Sequence, residues 1–251
     1  MSTSDQKLRL KDKVAIVTGG SRGIGRAIVF DFVREGAKVI ACGRTQSNLD
    51  KLSHETANAG YEVLARKADV SVEREVENMV AATIKKFGKV DILVNNAAIV
   101  GPHGVLPEIK KEAWDEVLDI NVGGVFLCSR AVLRHMMERK AGNIINVTTS
   151  KGWKRMKEAA GAYRTSKCAI EGLTVMLSKQ MKPYGICVNA MGPATTNTDM
   201  IRGILDGPGR RLRMWQPEEV SKLAVFLALQ TVDTLTGESI DFMQWQRKPW
   251  Q

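Results

Sequence analysis

Tyr163 and Lys167 are the two residues of this sequence whose types and spacing point most directly to proton chemistry. Four positions apart in a segment with helical periodicity, they fall on one face of a helix. A free tyrosine has a pKa of about 10 and is a poor base near neutrality. A neighbouring ammonium, joined by the positive nicotinamide of an oxidised cofactor, would stabilise the phenolate and lower that value. Such a phenol can give a proton to a carbonyl oxygen in a reduction, or take one from an alcohol in an oxidation. An ordinary exposed helix pair has the same spacing, so the reading needs a second feature elsewhere in the chain.

That feature is Thr18-Gly-Gly-Ser-Arg-Gly-Ile-Gly25, placed where a short apolar run ends and a helical pattern begins. Gly19 allows the turn, Gly23 lets the backbone approach a pyrophosphate, and Gly25 permits close helix–strand packing. Ser21, Arg22 and Ile24 complete the loop, and the helix N-terminus offers free N–H groups to the anion. The turn is therefore read as a dinucleotide site. Charge then selects the dinucleotide. The second strand ends Ile40-Ala-Cys-Gly-Arg44, without the acid that usually holds a ribose 2′-hydroxyl. Arg44, with Arg22, would grip a 2′-phosphate through paired hydrogen bonds, so the expected cofactor is NADP(H).

The elements that must position these groups alternate along the chain. Apolar runs at Val14–Val17, Lys38–Cys42, Tyr61–Ala65, Val90–Val94, Asn143–Val147, Ile186–Asn189 and Glu238–Phe242 read as strands. Helical patterns fill Ile24–Val33, Ser47–Ala59, a stretch opening at Ser71 as N-cap, Ala113–Arg139, Ala162–Met181 and a segment beginning at Pro217. Within the long fourth pattern, Asn121 and the two glycines after Val122 predict a local kink. Strands bounded by helices with short connections predict an α/β fold: a single doubly wound, Rossmann-type domain over 1–251, its parallel sheet of about seven strands covered by helices on both faces. A Gly-, Pro- and Arg-rich stretch at about 193–216 is expected to form a flap over the substrate.

The spacing Thr-Gly-x-x-x-Gly-x-Gly resembles that of the short-chain dehydrogenase/reductases, and further motifs follow in order. Asn95-Asn96-Ala97-Ala98 is similar to that family's Asn-Asn-Ala-Gly, with Ala98 in place of the usual glycine. Asp69-Val70 resembles the pair that reads the adenine ring. Asn121, Ser150, Tyr163 and Lys167 resemble the catalytic set. The resemblance implies that Ser150 hydrogen-bonds the substrate oxygen, that Asn121 anchors a water linking Lys167 to solvent, and that Lys167 also holds the nicotinamide ribose. The frame Asn146-Val-Thr-Thr-Ser-Lys-Gly152 admits Thr149 in the serine's place, so both hydroxyls stay in play, Ser150 first. Pro193 and Thr198 match a Pro-Gly…Thr segment that touches the nicotinamide amide, with Ala194 replacing the glycine. With Asn96 and Ala97, these residues complete the implied cofactor contacts. A homodimer or homotetramer joined through 111–139 and 162–181 is implied too.

Composition narrows the remaining classes. With 44% hydrophobic and 25% charged residues, the 251-residue chain is neither disordered nor fibrous. No apolar run approaches the ~20 residues of a membrane span, and the start lacks an apolar targeting segment, so a cytoplasmic protein without membrane attachment is expected. Cysteines 42, 128, 168 and 187 lack zinc spacing and read as mostly buried thiols; histidines 54, 103 and 135 show no ligand pattern, and no metal is expected. The net charge of +10 is spread over scattered Lys and Arg without interleaved aromatics, which argues against a nucleic-acid partner. A small carbonyl or alcohol is the expected substrate. Arg202, Arg210, Arg211 and Arg213, among apolar neighbours, would also suit a 3-oxoacyl thioester on an anionic carrier. A catalytically silent NADP(H)-binding regulator is the rival class. Trp153, Trp215, Trp245 and Trp250 could line a pocket or be buried.

Overall fold

A computed structural model describes residues 8–149, 161–205 and 214–247. Seven parallel strands form one sheet in the order β3-β2-β1-β4-β5-β6-β7. They are β1 Val14–Thr18, β2 Lys38–Gly43, β3 Val63–Lys67, β4 Ile92–Asn95, β5 Gly142–Val147, β6 Ile186–Gly192 and β7 Ser239–Asp241. Side chains alternate across each strand. Ala15 and Val17 enter a core with α1 (Gly23–Arg34), Leu52 of α2 (Gln46–Asn58) and α8 (Pro217–Ala228). Val14 and Ile16 face the opposite core with α3 (Glu73–Phe87), α5 (Gly124–Arg139) and α6 (Gly161–Met181). Each fully buried Ile or Val contributes about 1.5–3 kcal/mol, so both faces are held mainly by apolar burial. The doubly wound α/β architecture expected from the sequence is the one observed.

Polar residues pin individual elements inside this frame. Asp31 of α1, almost fully buried, accepts hydrogen bonds from Ser221 Oγ (2.6 Å) and Lys222 Nζ (2.7 Å) of α8. Asp91 accepts from the Val14 N–H at 2.9 Å and from Arg139 at 2.8 Å, tying the starts of β1 and β4 to the end of α5.

Several boundaries differ from expectation. Helix α3 begins at Glu73, because the Ser71 hydroxyl donates to Asp69 Oδ1 (2.7 Å) instead of capping a helix. The long pattern at 113–139 is two helices, α4 (Lys111–Leu118) and α5, joined by a π-helical turn at Asp119–Gly123. That turn contains Asn121 and interrupts the regular helix at the place where the sequence predicts a kink. The third strand starts at Val63, and β6 runs on to Gly192 because it pairs with both β5 and β7. Residues 192–216 are less loop-like than expected. They hold α7 (Asp199–Leu205), and a parallel bridge joins Thr196 to Trp215, while 206–213 lie outside the described residues. The last strand stops at Asp241 and a further helix, α9 (Phe242–Arg247), follows it. Three of the cysteines are buried and Cys168 is exposed. Among the described residues no helix is long and apolar enough to cross a membrane.

Candidate active site

The strand order reverses between β1 and β4, and a ligand crevice opens where such a reversal occurs. Thr18 and Asn96 stitch the two strand ends together. Thr18 Oγ1 donates to Val94 O (3.2 Å) and accepts the N–H groups of Asn96 (2.9 Å) and Ala97 (3.0 Å). Asn96 Nδ2 donates to Thr18 O (2.9 Å) and Gly19 O (3.1 Å). Its amide is thus occupied in holding the turn, and the cleft sees the rest of the residue.

The turn itself requires glycine. Gly19 (φ +61°) and Gly23 (φ +54°) lie in the left-handed region, and a Cβ on Gly25 would stand 2.3 Å from Gly19 O. Helix α1 starts there with Arg22 as an N-cap that makes no side-chain cap and with no acid in its first turn. Its free N–H groups and positive dipole end face an open cleft of about 1190 Å³, part of it open to solvent. Ser21, Arg22 and Ile24 line this stretch, as expected.

At one end the cleft is walled by the ends of β2 and β3. Arg44 Nη1 lies 3.8 Å from Asp69 Oδ2. Asp69 is itself fixed: its Oδ1 accepts the N–H and hydroxyl of Ser71 (3.0 and 2.7 Å), and its own N–H donates to Glu75 Oε2 (2.7 Å). Val70 lies beside it. Thr45 and Asn48, which sequence reasoning did not select, also line this end. Thr45 is the N-cap of α2 yet makes no side-chain cap, and α2 has no acid in its first turn. Cys42 reaches the cleft from β2, but burial pushes its thiol up to about 12 and keeps it protonated.

The other end holds Tyr163 and Lys167. Helix α6 puts Tyr163 and Lys167 on one face, and both line the cleft. Lys167 Nζ donates to Val147 O at 2.8 Å, and it stands 5.4 Å from the centre of the Tyr163 ring. Burial lowers Lys167 to about 8 and raises Tyr163 to about 12. The expected lowering rests on the ammonium together with the positive nicotinamide of an oxidised cofactor; the ammonium by itself does not bring it about. Desolvation outweighs it, and the amine is directed at a strand carbonyl. The protein's own groups set Tyr163 as a neutral phenol, a proton donor at neutral pH.

Asn121 stands behind this pair and outside the cleft lining. Fully buried, its Oδ1 accepts the Ile99 N–H (2.9 Å), and its Nδ2 donates to Ile99 O (2.9 Å) and Ser166 Oγ (3.0 Å). The amide is spent on these bonds, so its visible task is to hold the segment after β4 against α6. Ser150 lies outside the described residues. Thr149 is not among the lining residues, whereas its neighbour Thr148 is, with Oγ1 donating to Met191 O at 3.2 Å. Pro193 and Thr198 both line the cleft, and the Thr198 methyl lies 3.2 Å from where a Cβ on Gly23 would be.

Other described candidates do not line the cleft. Arg202 is engaged with Asn197 Oδ1 (2.7 Å) and with Asp199, and Arg210, Arg211 and Arg213 lie outside the described residues. Trp215 and Trp245 pack around Phe242, while Trp153 and Trp250 lie outside the described residues. His103 is exposed and absent from the lining. Among the described residues no group of three His, Cys, Asp or Glu side chains could hold a metal ion.

Residues 13–208 match the family model described as short chain dehydrogenase. The chain is 34% identical over 238 residues to a 3-oxoacyl-[acyl-carrier-protein] reductase of Synechocystis sp., covering 92% of this chain and 96% of that protein. It is 32% identical over 251 residues to 3beta-hydroxysteroid dehydrogenase 2 of Eggerthella lenta, covering 96% of each. Among solved structures, a 3-ketoacyl-(acyl-carrier-protein) reductase from Brucella melitensis complexed with NADH superposes with a TM-score of 0.82. Its sequence identity is 31%, and 92% of this chain and 97% of that one are covered. Levodione reductase superposes with a TM-score of 0.85 at 29% identity, covering 92% and 96%.

Proposed function

Because this chain belongs to the short-chain dehydrogenase/reductase family, whose members are oxidoreductases, we propose that it is NADP(H)-dependent and interconverts a carbonyl compound and its secondary alcohol. One observation carries the reading. A single cleft has Tyr163 and Lys167 at one end, Arg44 at the other, and the glycine turn with the α1 N-terminus between them. The donor set fits a dinucleotide. The turn's N–H groups suit a pyrophosphate, and two left-handed glycines keep side chains out of its path. At the far end Arg44, Arg22, the uncapped Thr45 hydroxyl and the free N-terminus of α2 suit a 2′-phosphate, with no acid at the end of β2 to repel it.

When bound, the nicotinamide supplies a hydride to the carbonyl carbon or takes one from the alcohol carbon. Tyr163 does the proton's half of the reaction. In reduction its phenol O–H gives a proton to the carbonyl oxygen; in oxidation the phenolate takes one from the hydroxyl. Lys167, charged over much of the neutral range, offsets the negative charge on Tyr163 as that proton leaves. Asn121 and Ser166 keep α6 in register with the rest of the site.

The test is loss of reduced-cofactor absorbance across a panel of ketones and 3-oxoacyl thioesters, run with NADPH and with NADH. Turnover with higher kcat/KM for NADPH supports the reading. Preference for NADH overturns the cofactor assignment. NADPH binding without turnover of any carbonyl favours the silent regulator. Thioesters enter the panel because relatives of similar identity carry the name 3-oxoacyl reductase, while others are named for a steroid or levodione.

A further inference from the structure

We propose that Trp215 is a positioning residue: braced by Phe242 of the C-terminal helix α9, it fixes the Thr195–Thr198 segment, whose last residue enters the cleft beside Gly23. The inference rests on the nucleotide-binding reading above and extends it to a part of the chain that otherwise has no role.

Trp215 and Thr196 form a short parallel bridge although they lie 19 positions apart. The Trp215 N–H donates to Thr195 O at 2.9 Å, and the Asn197 N–H donates to Trp215 O at 2.8 Å. Thr196, almost fully buried, closes the segment with a bond from Oγ1 to Ala194 O at 2.7 Å. The residues flanking this ladder do the lining. Pro193 precedes it, and Thr198, Asp199 and Met200 follow it into the cleft. Because the Thr198 methyl also abuts Gly23, a shift of this segment would be felt at the glycine turn.

The ladder needs a foundation, and α9 supplies one. Asp241 Oδ1 accepts the N–H groups of Met243 (2.9 Å) and Gln244 (3.3 Å), which caps this short helix at its start. Phe242, fully buried, meets the Trp215 ring edge to face, with centroids 5.2 Å apart and planes at 76°. Trp245 packs against Phe242 at 6.1 Å and against Phe226 of α8 at 6.0 Å. An aromatic wedge between α8 and the ladder thus fixes where Trp215, and with it Thr198, can sit.

The test compares binding of NADPH with binding of adenosine 2′-monophosphate, a fragment that reaches only the Arg44 end. Wild type, Trp215→Ala, Trp215→Phe and Phe242→Leu are measured by calorimetry. Trp215→Ala should weaken NADPH about five- to tenfold, the scale of one lost aromatic contact, while the fragment stays within about twofold. Trp215→Phe should recover most of the loss, and Phe242→Leu should fall between. Should Trp215→Ala not fold, the Phe242→Leu difference between the two ligands decides. Equal weakening of both ligands, or no weakening of NADPH, overturns the inference and leaves the proposed function standing. A wild type that binds neither ligand overturns the nucleotide reading, and this inference with it.

Discussion

Asn121 Nδ2 donates to Ser166 Oγ at 3.0 Å, and that hydroxyl donates in turn to Tyr163 O at 2.6 Å. The π-helical turn between α4 and α5 is thereby fastened to the first turn of the helix that carries Tyr163. Ser166→Ala should lower kcat about tenfold and leave cofactor affinity within about twofold, since the loop around the phosphates is untouched. Asn121→Ala strands the N–H and C=O of Ile99 and should destabilise the fold by about 2–4 kcal/mol, read by urea unfolding. A normal kcat in Ser166→Ala would remove this linkage from the account.

Arg44 stands just past the end of β2 with Nη1 3.8 Å from Asp69 Oδ2, a distance that leaves its forked donors open to an incoming phosphate. Arg44→Asp should lower kcat/KM for NADPH by about 10- to 100-fold, the range for losing charged hydrogen bonds, and should raise it for NADH. Steady-state kinetics with both cofactors checks this. An unchanged NADPH/NADH ratio would contradict the cofactor assignment.

Which residues around the glycine turn line the cleft was largely legible in the sequence because the requirements of that turn are local. The glycine turn lies between a strand and a helix within eight residues, and Tyr163 and Lys167 share a helix face by spacing alone. What escaped depends on contacts between distant segments. Thr45 and Asn48 enter the cleft only because α2 starts beside β3, and nothing in their local pattern marks them. The direction of the Lys167 amine is set by a carbonyl 20 positions away. Helix α9 is six residues long, and its cap at Asp241 and its aromatic contacts are invisible to periodicity. Ser71 looked like a helix cap because serine usually is one; here Asp69, two residues earlier, takes its hydroxyl.

The titration of Lys167 gives a signed prediction about stability. Its folded value, about 8, lies below the ordinary lysine value of 10.5, so between those limits the unfolded chain binds more protons and stability rises with pH. Relative to Lys167→Met, which lacks the group, the wild type should gain about 1–3 kcal/mol between about pH 7 and pH 10. Tyr163, raised to about 12 from 10.0, acts with the opposite sign only at higher pH, where the unfolded chain loses its proton first. Urea unfolding at the two pH values reads the difference. A wild type that loses ground to the variant as pH rises would contradict the burial of a charged amine.

Two glycine-to-alanine changes should differ in sign. Gly25→Ala puts a methyl group 2.3 Å from Gly19 O and 2.5 Å from Asn96 Nδ2, so the turn must open; cofactor binding should fall at least about 100-fold. Gly172, exposed within α6, has nothing within 4 Å of a built Cβ. Gly172→Ala should stabilise the fold by about 0.5–1 kcal/mol through helix propensity. Thermal unfolding and cofactor titration of the two variants check the pair.

If Tyr163 supplies the proton, its hydroxyl is the one group of that side chain the reaction needs. Tyr163→Phe keeps the ring and its place near Lys167 and removes only the hydroxyl. Measured with NADPH on the best substrate of the panel, kcat should fall by about 10²–10⁴-fold while the dissociation constant for NADPH stays within a few-fold. Turnover at the wild-type rate in that variant would contradict the account.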